Sequence, residues 1–174
     1  MELDFEIDKI TESIENTETG ETLDTLVLPV TKADLEEITK KNGWLFDWKQ
    51  EFSESEKQVY KLVTEQEPKT IHGLASFEKL KDHVFMHLIE NAPINRGKSK
   101  KYLGVCGNLT AYGCKLSKEL GFNGVVAFEP KTALIPHYQK TLGAVLISDR
   151  RMAIFEEDSQ VLLDKYFPEA EAKL

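Results

Sequence analysis

Apolar and polar positions along the chain fall into two rhythms. Residues 3–15 and 22–30 alternate in the manner of strands, and "NTETGET" between them is turn chemistry. "LVLPVTKADLEEITKK" then predicts a strand running into a short helix. Thr31 stands at the N-cap position, Asp34 completes a capping box, and Leu35 and Ile38 give the helix an apolar stripe. "NGWLFDWKQEF" resumes an extended or irregular path in which Trp44, Phe46 and Trp48 alternate. Three strands follow at 58–66, 71–81 and 83–93, separated by breaks so short that antiparallel neighbours are expected.

Beyond the basic loop "INRGKSKK" (94–101) the rhythm turns helical, with Leu103, Leu109, Leu116 and Leu120 as apolar anchors and Gly121 as the stop. "GVVAFEP" (124–130) predicts a buried strand. "TALIPHYQKTLG" (132–143) predicts a helix with Pro136 in its first turns, "AVLISDRRMAIF" a hairpin, and "EEDSQVLLDKYF" an amphipathic helix. This order predicts an α+β domain, a three-layer α/β/α arrangement around a mixed sheet.

The chain has 174 residues, 41% of them hydrophobic, which suits a single domain over 1–174 with a substantial core. Its net charge of -8 fits poorly with nucleic-acid phosphates and better with a cationic or amine substrate. The opening "MELDFEIDKITESIEN" lacks the basic and apolar regions of a signal peptide, and no apolar run is long enough to span a membrane. Cys106 and Cys114, if on one helix, lie roughly 12 Å apart at ~1.5 Å per residue, too far for a disulfide. Free thiols point to a reducing, cytoplasmic setting.

The segment "KYLGVCGNLTAYGCKLSKELG" raises a chemical question, because Gly104, Gly107 and Gly113 each weaken a helix by about 1 kcal/mol relative to Ala. Amides at a helix start lack partners within the helix and carry partial positive charge. A glycine-bearing loop after a strand end, with Lys98, Lys100 and Lys101 nearby, therefore suits a phosphate or pyrophosphate. Close helix packing beside a solvated lysine loop explains the same residues without a ligand.

The C-terminal half as a whole resembles the GNAT acetyltransferase superfamily. That family binds the pyrophosphate of acetyl-CoA with Gln or Arg, two residues, Gly, one residue, then Gly or Ala. Lys101-Tyr102-Leu103-Gly104-Val105-Cys106 has this spacing, with Gly107 next. Lys101 and Cys106 depart from the motif, and the loop from Pro93 to Gly104 is longer than usual. A second register, starting at Arg96, puts Ser99 and Lys101 where glycines belong. The similarity spans roughly residues 26–155, leaving 1–25 as an N-terminal strand extension that pairs in a homodimer or widens the sheet.

The resemblance implies a mostly antiparallel sheet whose central strands, here 83–93 and 124–130, splay to admit the co-substrate. Backbone at Leu88, Ile89 and Asn91 would face the thioester, and Lys101 to Gly107 would hold the pyrophosphate. The implied activity is N-acetyl transfer from acetyl-CoA to a small-molecule or protein amine by direct attack, with no metal. Tyr138 takes the approximate place of the family's tyrosine that protonates the departing thiolate, although its spacing to Gly143 is one residue longer, and His137 is an alternative.

Glu90 near a strand end, on the face of Met86 and Leu88 by period-two counting, is the candidate general base, with His87 as the alternative. His83 and His87 lack a third ligand for a metal. Cys106 at a helix start would have a lowered pKa, but no histidine pairs with it in the sequence. His72 reads as structural. Two rival expectations remain: a non-catalytic module of the same fold working through a protein partner, and an unrelated domain with a phosphate-binding loop.

Overall fold

The computed structural model describes residues 1–168; residues 169–174, the tail of the expected domain, lie outside them. Near the N-terminus are β1 (Ile14–Asn16), β2 (Thr22–Leu23) and β3 (Thr25–Pro29), followed by α1 (Lys32–Leu35) and α2 (Trp48–Ser53). The meander is β4 (Lys57–Thr64), β5 (Gly73–Lys79) and β6 (Val84–Asn91). Then come β7 (Tyr102–Leu103), α3 (Val105–Glu119), β8 (Val126–Phe128), α4 (Ile135–Leu142), β9 (Val145–Leu146), β10 (Met152–Ile154) and α5 (Glu156–Tyr166).

Seven strands form one sheet in the order β3-β4-β5-β6-β8-β10-β9. Every neighbouring pair is antiparallel except β6 and β8. Cross-strand pairing sorts the side chains by face. Gly73 and Phe77 meet α3: a Cβ on Gly73 would touch Val105 and Leu109, and one on Gly113 would touch the Phe77 ring. Lys61, on the other face, pairs with Asp34 of α1 at 2.8 Å, and Glu90 meets Trp48 of α2. Helices thus cover both faces, giving the expected three layers. α1 starts at the expected capping box, with Thr31 and Asp34 bonded reciprocally.

Two local expectations fail. The alternation of Trp44, Phe46 and Trp48 does not continue as an extended path, because Asp47 caps α2 by accepting the Gln50 N–H at 3.1 Å. Residues 3–15 are not one strand either; only Ile14–Asn16 is, together with an isolated parallel bridge between Leu3 and Pro130. Nor do the N-terminal strands widen the main sheet. β1 sits between β2 and β7 in a separate three-stranded sheet, which ties the chain's start to the loop before α3. No described helix is long and apolar enough to cross a membrane.

Candidate active site at the β6–β8 fork

β6 and β8 pair only at Val84↔Val126 and Phe85↔Ala127. Beyond Phe85, β6 runs on to Asn91 while β8 ends at Phe128, so the two strands fork. At the root of the fork β5 and β6 carry a bulge: Ser76 pairs with Leu88 and Phe77 with Met86, leaving His87 as the extra residue. Ser76 and Phe77 point to opposite faces of β5, so Leu88 and Glu90 lie on the face opposite Met86. This corrects the period-two count, which put all three together; a bulge is set by strand pairing and leaves no mark in the residue pattern.

Glu90 is 4% exposed, and its carboxylate is crowded with donors. Leu45 N donates to Oε2 at 2.7 Å, Trp48 Nε1 to Oε1 at 2.8 Å, Phe46 N to Oε1 at 3.3 Å, and Arg96 Nη1 to Oε2 at 3.5 Å. Arg96 also donates to the Gly43 carbonyl. Two donors on each oxygen occupy its lone pairs, so Glu90 is the hub that fixes the loop 43–48 against the strand end. His87, on the same face, has its Nε2 2.7 Å from Glu78 Oε1 and its ring against Phe85. In a neutral ring, a carboxylate at Nε2 draws the proton there and leaves Nδ1 as the acceptor. Sequence spacing could not reveal this dyad, since Glu78 belongs to the neighbouring strand.

Leu88 is buried on the Glu90 face and Ile89 on the α3 face, where Asn91 pairs with Gly73 beside the Cys106 thiol. Tyr102 and Leu103 pair with Asn16 and Glu15 of β1, and the Tyr102 N–H is given to Asn95 Oδ1 at 3.1 Å. Lys101 donates its N–H to the Ile94 carbonyl and is exposed. Gly104 caps α3 in the left-handed region at φ 90°, where a side chain is disfavoured. Its N–H donates to Asp8 Oδ1 at 3.0 Å. Among the described residues, no group accepts from the Val105, Cys106 or Gly107 N–H. Burial pushes the Cys106 thiol up, reinforced by the Asp8 carboxylate, so the lowered pKa expected at a helix start is overturned.

Tyr138 is fully buried on α4 and donates to the Phe5 carbonyl at 2.7 Å. Its ring stacks on Phe5 at 4.7 Å, and desolvation raises its phenol's pKa. His137 Nε2 accepts the Ile7 N–H at 2.9 Å. Thus Gly104, Tyr138 and His137, which the sequence singled out separately, come together around residues 5–8. The participation of that segment was not foreseen. Its signal was the run Leu3, Phe5, Ile7, each buried, between exposed Asp4 and Glu6.

No family model matches the chain, and no curated protein matches it in sequence. Solved structures do. A spermidine N-acetyltransferase from Vibrio cholerae, in complex with CoA and spermine, aligns over 79% of this chain and 98% of its own, with a TM-score of 0.54 and 15% identity. A nourseothricin acetyltransferase aligns over 75% and 97%, with a TM-score of 0.53 and 13% identity. The ribosomal-protein-S18-alanine N-acetyltransferase from Escherichia coli aligns over 75% and 90%, with a TM-score of 0.51 and 14% identity. With a mostly antiparallel sheet, helices on both faces and a fork between its two parallel strands, the chain has the fold of the GNAT N-acetyltransferases.

Proposed function

We propose that the protein is an acetyl-CoA-dependent N-acetyltransferase acting on an amine, by direct attack and in the cytoplasm. The observation that carries this is the fork beyond Phe85, opening beside the N-terminus of α3 in a GNAT fold. Similar structures include an enzyme solved with CoA and spermine, which supports a small cationic acceptor, as does the net charge of -8. Acetyl-CoA supplies the activated acetyl group. The N–H groups of Val105, Cys106 and Gly107 would hold its diphosphate, and backbone at Leu88, Ile89 and Asn91 would line its thioester arm.

The acceptor would approach on the face of His87, Glu90 and the loop 43–48. There His87, oriented by Glu78, takes the proton as the amide bond forms, while Glu90 holds the loop in place. Tyr138 protonates the sulfur as the C–S bond breaks. The test is thiol release from acetyl-CoA across a panel of polyamines, aminoglycosides and peptide N-termini. Turnover with at least one amine, lost at least a hundredfold in His87→Ala, is expected. Absence of both turnover and acetyl-CoA binding would refute the assignment.

A further inference from the structure

The fork is filled by the chain itself. The β6-facing edge of β8 is set by Val84, whose N–H donates to the Val125 carbonyl at 3.1 Å. In a strand every second residue turns its peptide groups to the same edge. The Glu129 carbonyl and Lys131 N–H therefore continue that edge past the point where β6 departs. Both bond Leu3: Leu3 N donates to Glu129 O at 2.7 Å, and Lys131 N donates to Leu3 O at 2.8 Å. Leu3 thus lies inside the fork, as a short parallel strand on the edge that β6 has vacated.

From there the segment runs extended toward α3. Phe5 stacks on Tyr138, and Ile7 bonds His137. Asp8 reaches the Gly104 N–H and also pairs with Lys100 at 3.1 Å. Thr11 N donates to Tyr166 Oη at 3.0 Å. The five extended steps from Leu3 to Asp8 span about 17 Å. They join a backbone-pairing site in the fork to a carboxylate at the α3 N-terminus. An extended arm ending in an anion is also the shape of the co-substrate proposed above.

We infer that the fork is a binding groove for an extended acidic-apolar peptide, and that residues 3–11 of this chain are its resident ligand, which must leave before acetyl-CoA enters. This rests on the proposed function. The structure suits a segment that detaches as a unit, because the three-stranded sheet holds residues 14–16 independently of the fork.

The test uses the full-length chain. In the wild type, saturating acetyl-CoA is expected to increase amide hydrogen exchange over residues 3–11 while decreasing it over 104–107. In the double variant Phe5→Ala, Asp8→Ala, the dissociation constant for acetyl-CoA is expected to fall at least tenfold. A synthetic peptide of residues 1–13 added to that variant should restore the weaker value, which separates release of the segment from damage to the fold. Equal affinities, with residues 3–11 keeping their protection when acetyl-CoA is bound, would overturn the inference and leave the proposed function standing. If neither protein binds acetyl-CoA, the proposed function falls and the inference with it.

Discussion

Asp8 Oδ1 accepts the Gly104 N–H at 3.0 Å across 96 positions of sequence, and so seats a carboxylate on the first amide of the α3 cap. A helix N-terminus attracts negative charge, and here the chain supplies its own. Gly104 is required by both sides of this contact. Its φ of 90° disfavours a side chain, and a Cβ would lie 2.9 Å from the Ser13 carbonyl and also against Thr11 Oγ1.

Gly104→Ala should therefore destabilise the protein by about 2 kcal/mol, lowering Tm by roughly 5 °C. Calorimetry measures this. An unchanged Tm would mean that the left-handed cap relaxes at no cost.

Glu90 makes a second testable claim. Glu90→Gln puts an NH2 where two donors converge, so it should cost about 2–3 kcal/mol of stability. The loop carrying Trp44 and Trp48 should loosen, with a red-shifted tryptophan emission. Unaltered emission and melting would show that the four bonds to this carboxylate do not fix the loop.

His72 should make stability depend on pH. It is 3% exposed, and burial pushes its pKa down to about 4 from 6.5, the Glu67 charge opposing and the Lys101 charge assisting. Asn95 Nδ2 lies 3.2 Å from its Nδ1, which suits the neutral ring. Between these pKa values the unfolded chain takes up a proton that the folded chain excludes. Stability is therefore complete above pH 6.5 and falls by about 3 kcal/mol as pH drops to 4. Urea titrations between pH 4 and 7 measure the slope, which should flatten in His72→Gln. An equal slope in both proteins would assign the effect elsewhere.

Cys106 and Cys114 should be inert in the native protein. Burial pushes the Cys114 thiol up to about 12 and raises Cys106 as well. Labelling by a chromogenic disulfide reagent should proceed no faster than unfolding. Rapid labelling of native Cys106 would mean that the start of α3 is open to solvent.

What the sequence disclosed follows from the range of the forces involved. The β4–β5–β6 meander, α3 with its stop at Gly121, and the capping box at Thr31 are local, and adjacent residues announce them. Three of the four donors to Glu90 lie 42 to 45 positions earlier, and its position near a strand end, which suggested a general base, gave no sign of them. The bulge at His87 belongs to the pairing of two strands rather than to either one. The alternation of Leu3, Phe5 and Ile7 correctly indicated extended, half-buried chain, but it could not say that the burial surface would be a fork between two strands far along the chain.

The docking of Leu3–Thr11 also orders events during synthesis. This stretch emerges from the ribosome ahead of the distant groups that later receive it, among them Gly104, Glu129, His137, Tyr138 and Tyr166. Domains form while the chain is still growing, so the segment waits in solvent until α4 has appeared and α5 has brought Tyr166 into place. Docking of this segment is therefore among the last steps of folding, made only once residues far along the chain have found their places.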